Sequence, residues 1–170
     1  FKPNVVPVED EDISKQFERS LKKAGIKIMT NSSVERIDTT GAGVKAFVKT
    51  AKGEEVLEAD ILLSAVGIKT NIENIGLEEV GIATDRDKIL VDAYNATNIP
   101  GYYAIGDVTP GQALAHVASA EGINCVEKIA GLHVEPIDYG NVPGCTYATP
   151  EIASVGLTEK QAKEKGYELK

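Results

Sequence analysis

Apolar and polar positions alternate along this chain in two rhythms, and the rhythm changes at glycine, proline and asparagine. The first is helical. Ile13, Phe17, Leu21 and Ala24 recur three and four residues apart, on one face of a helix that Asp12 begins. Lys22 and Lys23 fill its last turn and Gly25 stops it. The period then shortens to two. Ile26, Ile28 and Met29 predict one strand, and Val34-Glu35-Arg36-Ile37 starts another. Val44, Ala46 and Val48 alternate with Lys45, Phe47 and Lys49, and Lys52-Gly53 turns the chain into Glu55-Val56-Leu57. Together these predict a meander of short antiparallel strands. Residues 61–66 are apolar on both faces, which predicts a strand inside a parallel sheet.

Residues 71–101 are loop-like, with Gly76 and Gly81 as punctuation and a short strand at Ile89-Leu90-Val91. Tyr102-Tyr103-Ala104-Ile105-Gly106-Asp107 predicts a short buried strand ending in Gly-Asp. A long helix opens near Gln112, carries Leu114, Val117, Ala118, Ile123, Val126 and Ile129 largely on one face, and ends at Gly131. Residues 132–144 hold Pro136, Gly140, Pro143 and Gly144, a linker composition. Residues 145–155 predict a strand. Thr158 predicts the N-cap of a last helix, with Gln161 completing a capping box.

Charge narrows the function. The formal net charge of −8 argues against non-specific nucleic-acid binding. No apolar run approaches the roughly 20 residues of a membrane span. Cys125 and Cys145 form neither a CxxC nor a disulfide framework, which suits a reducing compartment. The acidic run Glu9-Asp10-Glu11-Asp12 reads as a helix start, and no metal site is expected. His133 reads as a loop residue and Cys125 as packing. The chain opens on Phe1, not Met, and stops directly after an amphipathic helix signal, so it reads as a piece of a longer protein.

Two turns carry candidate chemistry. At Gly106-Asp107 the carboxylate can accept hydrogen bonds from ligand hydroxyls, and the following helix N-terminus suits an anionic group. Taken alone, Gly-Asp reads equally as an ordinary turn with a capping Asp. Ser64-Ala65-Val66-Gly67 ends a strand in glycine, where α/β sheets bind nucleotides or where a strand simply stops.

The 12-residue run Thr97-Asn98-Ile99-Pro100-Gly101-Tyr102-Tyr103-Ala104-Ile105-Gly106-Asp107-Val108 resembles the second FAD fingerprint of the flavoprotein disulfide reductases. Ala113-Leu114-Ala115-His116, followed by Glu121-Gly122, resembles the next helix in the dihydrolipoamide dehydrogenase family. Pro143-Gly144-Cys145-Thr146-Tyr147 and the run from Pro150 to Glu159 resemble the opening of that family's dimerisation domain. The resemblance covers the whole chain in order.

It implies an α/β fold: partial FAD- and NAD(P)-binding Rossmann-like domains with a β meander, plus the start of an α+β dimerisation domain. The implied division is the back half of an NAD-binding domain at 1–70, the central part of an FAD-binding domain at 71–137, and the start of an interface domain at 138–170. The implied reaction is oxidation of dihydrolipoamide to lipoamide, with electrons passing through a redox disulfide and FAD to NAD+. Asp107 with Gly106 is then expected at the flavin ribitol, and Ala113, Leu114, Ala115 and His116 against the isoalloxazine. Val34 and Gly67 align with contacts to NAD adenosine. The implied partners are lipoyl domains of 2-oxo acid dehydrogenase or glycine cleavage complexes and a second copy of the parent. The implied location is the cytoplasm, or the mitochondrial matrix in a eukaryote.

The family's redox CxxxxC, both its GxGxxG loops and its His-Glu acid/base pair are absent from these 170 residues. No catalytic residue is therefore assigned, and the segment alone is expected to be inactive. The rival readings are another flavoprotein disulfide reductase, of mercuric or glutathione reductase type, and a non-catalytic nucleotide-binding module.

Overall fold

The computed structural model describes residues 2–169. Phe1 and Lys170, the ends of the expected N-terminal loop and interface segment, lie outside the described residues. The chain is mixed α/β and divides into two compact units, residues 1–65 with 143–170, and residues 66–142.

In the first unit, helix α1 (Glu11–Lys23) has acids in its first turn and lysines in its last, matching the helix dipole at both ends. Phe17 is buried, worth roughly 1.5–3 kcal/mol. The buried stripe is narrower than the periodicity implies, because Ile13 is exposed and the second buried residue is Ser14. The Ser14 hydroxyl donates to the carbonyls of Val5 and Val6, at 2.7 and 3.1 Å, which fastens the N-terminal loop to the helix.

The expected meander is present. Strands β1 (Ser33–Asp38), β2 (Val44–Thr50) and β3 (Gly53–Ala59) pair antiparallel with β2 in the centre. Ala46 and Val48 are its buried residues. Phe47 faces the other way, under the Arg36 guanidinium at 3.6 Å, a contact worth about 0.5–1 kcal/mol at an exposed site. The register slips between Val34 and Arg36, a bulge at Glu35. Gly43 has to be glycine, since a Cβ there would lie 2.6 Å from the Ala59 carbonyl oxygen.

Three predicted strands of this region differ. Ile26, Ile28 and Met29 form an irregular segment. Residues 61–66 are unpaired, with Ile61, Leu63 and Val66 at 84%, 87% and 97% exposure. Every pairing among the described residues is antiparallel, so no parallel neighbour bonds this backbone, and an apolar run without one does not make a strand. Residues 145–155 fold back on themselves as β6 (Gly144–Thr146) and β7 (Ile152–Ser154), with Pro150 in the turn. Helix α4 (Glu159–Glu164) opens with the expected capping box. The Thr158 hydroxyl accepts from the Gln161 amide, and the Gln161 side chain accepts from the Thr158 amide.

In the second unit, the short helix α2 (Leu77–Val80) sits between two left-handed glycines, Gly76 and Gly81. A small hairpin, β4 (Thr84–Asp85) and β5 (Lys88–Ile89), follows. Ile72, Leu77 and Ile89 form the buried cluster, and Ile82, Val91, Ala104 and Val108 pack on it. Helix α3 (Ala115–Ile129) completes the unit.

Candidate functional site

The site is built on the run from Tyr102 to His116. The structure corrects the expected buried strand there. Tyr102, Tyr103 and Ile105 are exposed, and the only strand-like pairing in this run is a bridge between Tyr103 and Ala96. The physical reason is where the backbone hydrogen bonds go. The Ala104 amide donates to the Asn95 carbonyl at 3.0 Å, and the Tyr102 carbonyl accepts from the Thr97 amide at 3.0 Å. Asn95 is buried with a left-handed φ of 66°, and its side-chain amide donates to the Ala104 carbonyl at 3.1 Å. A folded-back loop, not a sheet, holds the run in place.

Gly106, Asp107 and Val108 then wind into one 3-10 turn (Gly106–Val108). Gly106 has φ +74°, and a Cβ on it would meet the Ala118 Cβ at 3.2 Å. Gly122, one turn further along α3, leaves the same narrow clearance to Ile105. These glycines let α3 lie directly against the turn. The buried Thr109 closes it, donating from both its amide and its hydroxyl to the Gly106 carbonyl, at 2.9 and 2.8 Å. Lys88 reaches the Asp107 carbonyl at 2.5 Å. With its backbone so fixed, Asp107 presents its side chain to solvent.

Beyond Gly111 the chain enters α3 through Leu114, the N-cap, which supplies no side-chain hydrogen bond. The first turn of α3 carries no acidic residue. The positive end of its dipole thus has neither a side-chain cap from Leu114 nor an acid beside it. Ala113, Ala115 and His116 are exposed in this segment, and Leu114 is half-buried. An exposed carboxylate followed, six residues after its 3-10 turn, by a helix N-terminus with no side-chain cap fits a ligand that carries hydroxyls and negative charge.

Gly67 and Val34 are placed elsewhere. Gly67 belongs to the second unit and is exposed at φ +129° with open space around it. Val34 belongs to the first unit, on β1 opposite Val48, and is exposed.

Glu121 is the residue that sequence reasoning missed. The expected apolar face of α3 included Ile123, Val126 and Ile129, yet these are more than half exposed. The buried face is Val117, Glu121 and Cys125, four residues apart. Only 2% of Glu121 is exposed. Its carboxylate accepts from the Gly106 amide at 2.6 Å and from the Tyr139 hydroxyl at 2.8 Å. Burial first, and the bond to Glu121 second, push the Tyr139 phenol up to about 12.

The sequence pattern of the pyridine nucleotide-disulphide oxidoreductases matches residues 1–122, and that of their dimerisation domain matches residues 142–170. The chain belongs to this family. Membership implies binding of FAD and a pyridine nucleotide. Among its relatives, dihydrolipoyl dehydrogenase of Rhizobium etli is 48% identical over 170 residues, 99% of this chain and 35% of that protein. The mitochondrial dihydrolipoyl dehydrogenase of Pisum sativum is 44% identical over 173 residues, all of this chain and 34% of that protein. The crystal structure of LpdA from Mycobacterium tuberculosis superposes with a TM-score of 0.88 at 30% identity, over 96% of this chain and 35% of that one. The HOCl-induced flavoprotein disulfide reductase RclA of Escherichia coli gives 0.87, also at 30%, over 98% of this chain and 38% of that one. The chain thus spans about a third of the length of the relatives it matches. No helix among the described residues is long and apolar enough to cross a membrane.

Proposed function

We propose that residues 1–170 are a segment of a dihydrolipoyl dehydrogenase, in which dihydrolipoamide is oxidised to lipoamide and electrons pass through FAD to NAD+. The observation that carries this reading is the Asp107 turn, its carboxylate exposed and its backbone packed against α3, whose N-cap Leu114 gives no side-chain hydrogen bond. The likeness in sequence to two dihydrolipoyl dehydrogenases supports the choice of reaction.

FAD, when bound, carries the electron pair between the dithiol and the nicotinamide. The residues of this chain orient it and tune its surroundings. Asp107 accepts from ribitol hydroxyls, and Gly106 keeps the backbone low beside them. Ala113, Leu114, Ala115 and His116 would hold the flavin ring, and the N-terminal end of α3 would favour negative charge on it. Val34 and Gly67 contact the adenosine of NAD. We assign residues 1–70 to the NAD-binding domain, 71–137 to the FAD-binding domain and 138–170 to the interface domain. The partners are a second copy of the polypeptide and the lipoyl domains of 2-oxo acid dehydrogenase or glycine cleavage complexes. The location is the cytoplasm, or the mitochondrial matrix in a eukaryote.

A second reading is another flavoprotein disulfide reductase, which the likeness to the E. coli protein supports. The test is the visible spectrum of the polypeptide carrying residues 1–170, taken after incubation with FAD and removal of free ligand. A retained flavin band that Asp107→Ala abolishes is expected. A band equally strong in the variant would refute the assignment of Asp107. Dihydrolipoamide turnover separates the two enzyme readings.

A further inference from the structure

A buried carboxylate is tolerated only when its oxygens are bonded. Both oxygens of Glu121 are bonded, one to the site loop and one to a tyrosine beyond α3. Oε2 takes the amide of Gly106, the residue directly before Asp107. Oε1 takes the hydroxyl of Tyr139, whose ring lies against Gly111, with Cε1 3.7 Å from where a Cβ on that glycine would sit. Gly111 stands between the 3-10 turn and the segment 113–116, at φ +127°. One acidic side chain thus grips the start of the site loop directly and its far end through a phenol ring. An apolar residue at 121 would leave the Gly106 amide without this acceptor and free the peptide that aims Asp107.

We propose that Glu121 is a positioning residue for the cofactor turn, setting the direction of the Asp107 carboxylate through the Gly106 amide, with Tyr139 as its brace. This rests on the FAD reading above. It is a claim about reach, not charge, and two variants separate these. Glu121→Asp keeps the charge and shortens the side chain by one methylene, so it no longer spans to Gly106. Glu121→Gln loses the charge but still accepts from Gly106, while its NH2 donates to the Tyr139 oxygen.

The experiment is a titration of the polypeptide carrying residues 1–170, freed of flavin, with FAD, read by flavin fluorescence. Glu121→Asp is expected to weaken FAD binding about tenfold and Glu121→Gln no more than about threefold. In an Asp107→Ala background, Glu121→Asp is expected to cost less than about twofold, since it acts through the same group. A Gln variant as weak as the Asp variant overturns the proposal. So does an Asp variant that costs the same factor in both backgrounds, which is the signature of a general loss of packing. An Asp107→Ala variant that binds as tightly as the parent instead sinks the FAD reading, and this inference with it.

Discussion

Gly106→Ala is the sharpest test of how the turn is built. The substitution adds one methyl group, and two separate costs follow from the structure. The residue sits at φ +74°, a left-handed conformation that costs an L-residue about 1–2 kcal/mol. The new Cβ would also stand 3.2 Å from the Ala118 Cβ, an overpacked contact worth roughly 1–3 kcal/mol. Together they remove about 2–5 kcal/mol, which at a urea slope of roughly 2 kcal/mol/M moves the unfolding midpoint down by about 1–2.5 M. The control is Gly131→Ala at the other end of the same helix. Gly131 has φ +79° and open space around it, so only the conformational cost of about 1–2 kcal/mol applies. Adding Ala118→Gly to the Gly106 variant relieves the contact. The pair should be less destabilised than the sum of the single changes by at least about 1 kcal/mol, although glycine itself weakens the helix by roughly as much. The assay is urea denaturation followed by circular dichroism. Equal midpoint shifts for Gly106→Ala and Gly131→Ala, or strict additivity with Ala118→Gly, would refute the close approach of α3 to the turn.

Two further outcomes follow from the same chemistry. The Tyr139 phenol should ionise late in a near-ultraviolet titration. Its folded value, about 12, lies above the usual value of about 10, so its stabilisation is complete below about pH 10 and is lost as pH rises through 12. Tyr139→Phe should remove this late phase, and a titration from which the variant removes only a phase complete by about pH 11 would sink the assignment. Thr158→Ala should cost about 1 kcal/mol locally and speed hydrogen exchange at the Gln161 amide, which the Thr158 hydroxyl accepts at 3.2 Å. Unchanged protection there would mean that the capping box does not hold α4.

What was legible in the sequence divides by the range of the forces involved. The meander could be read because alternation in β2 and the turn at Lys52-Gly53 are local signals. The capping box could be read because its two partners are three residues apart. Gly106-Asp107 was recognised as a turn by its residue types. The strand predicted before it was wrong, because the partners of its backbone are Asn95 and Thr97, set by a loop whose fold-back needs the buried, left-handed Asn95. Residues 61–66 misled for a related reason. Apolarity reports a tendency to be covered, not the presence of a neighbouring strand.

Glu121 shows the limit most clearly. In sequence it stands between Ala120 and Gly122, seven residues after Leu114, four after Val117 and three after Ala118, so helical period sets a charged residue on the face of those three. Tertiary packing buries that side of the helix and leaves Ile123, Val126 and Ile129 exposed. The approach to the turn needs small residues facing it, and Ala118 and Gly122 supply them. Position 121 shares that face, so whatever stands there is buried against the Gly106 peptide. An apolar side chain would gain transfer energy at that point but leave an amide without an acceptor, a loss of about 1–3 kcal/mol. A carboxylate bonded on both oxygens avoids that loss and locks the peptide that aims Asp107. The small residues that let the helix come close and the acid that bonds the turn are therefore one solution: close packing creates the buried amide, and Glu121 satisfies it.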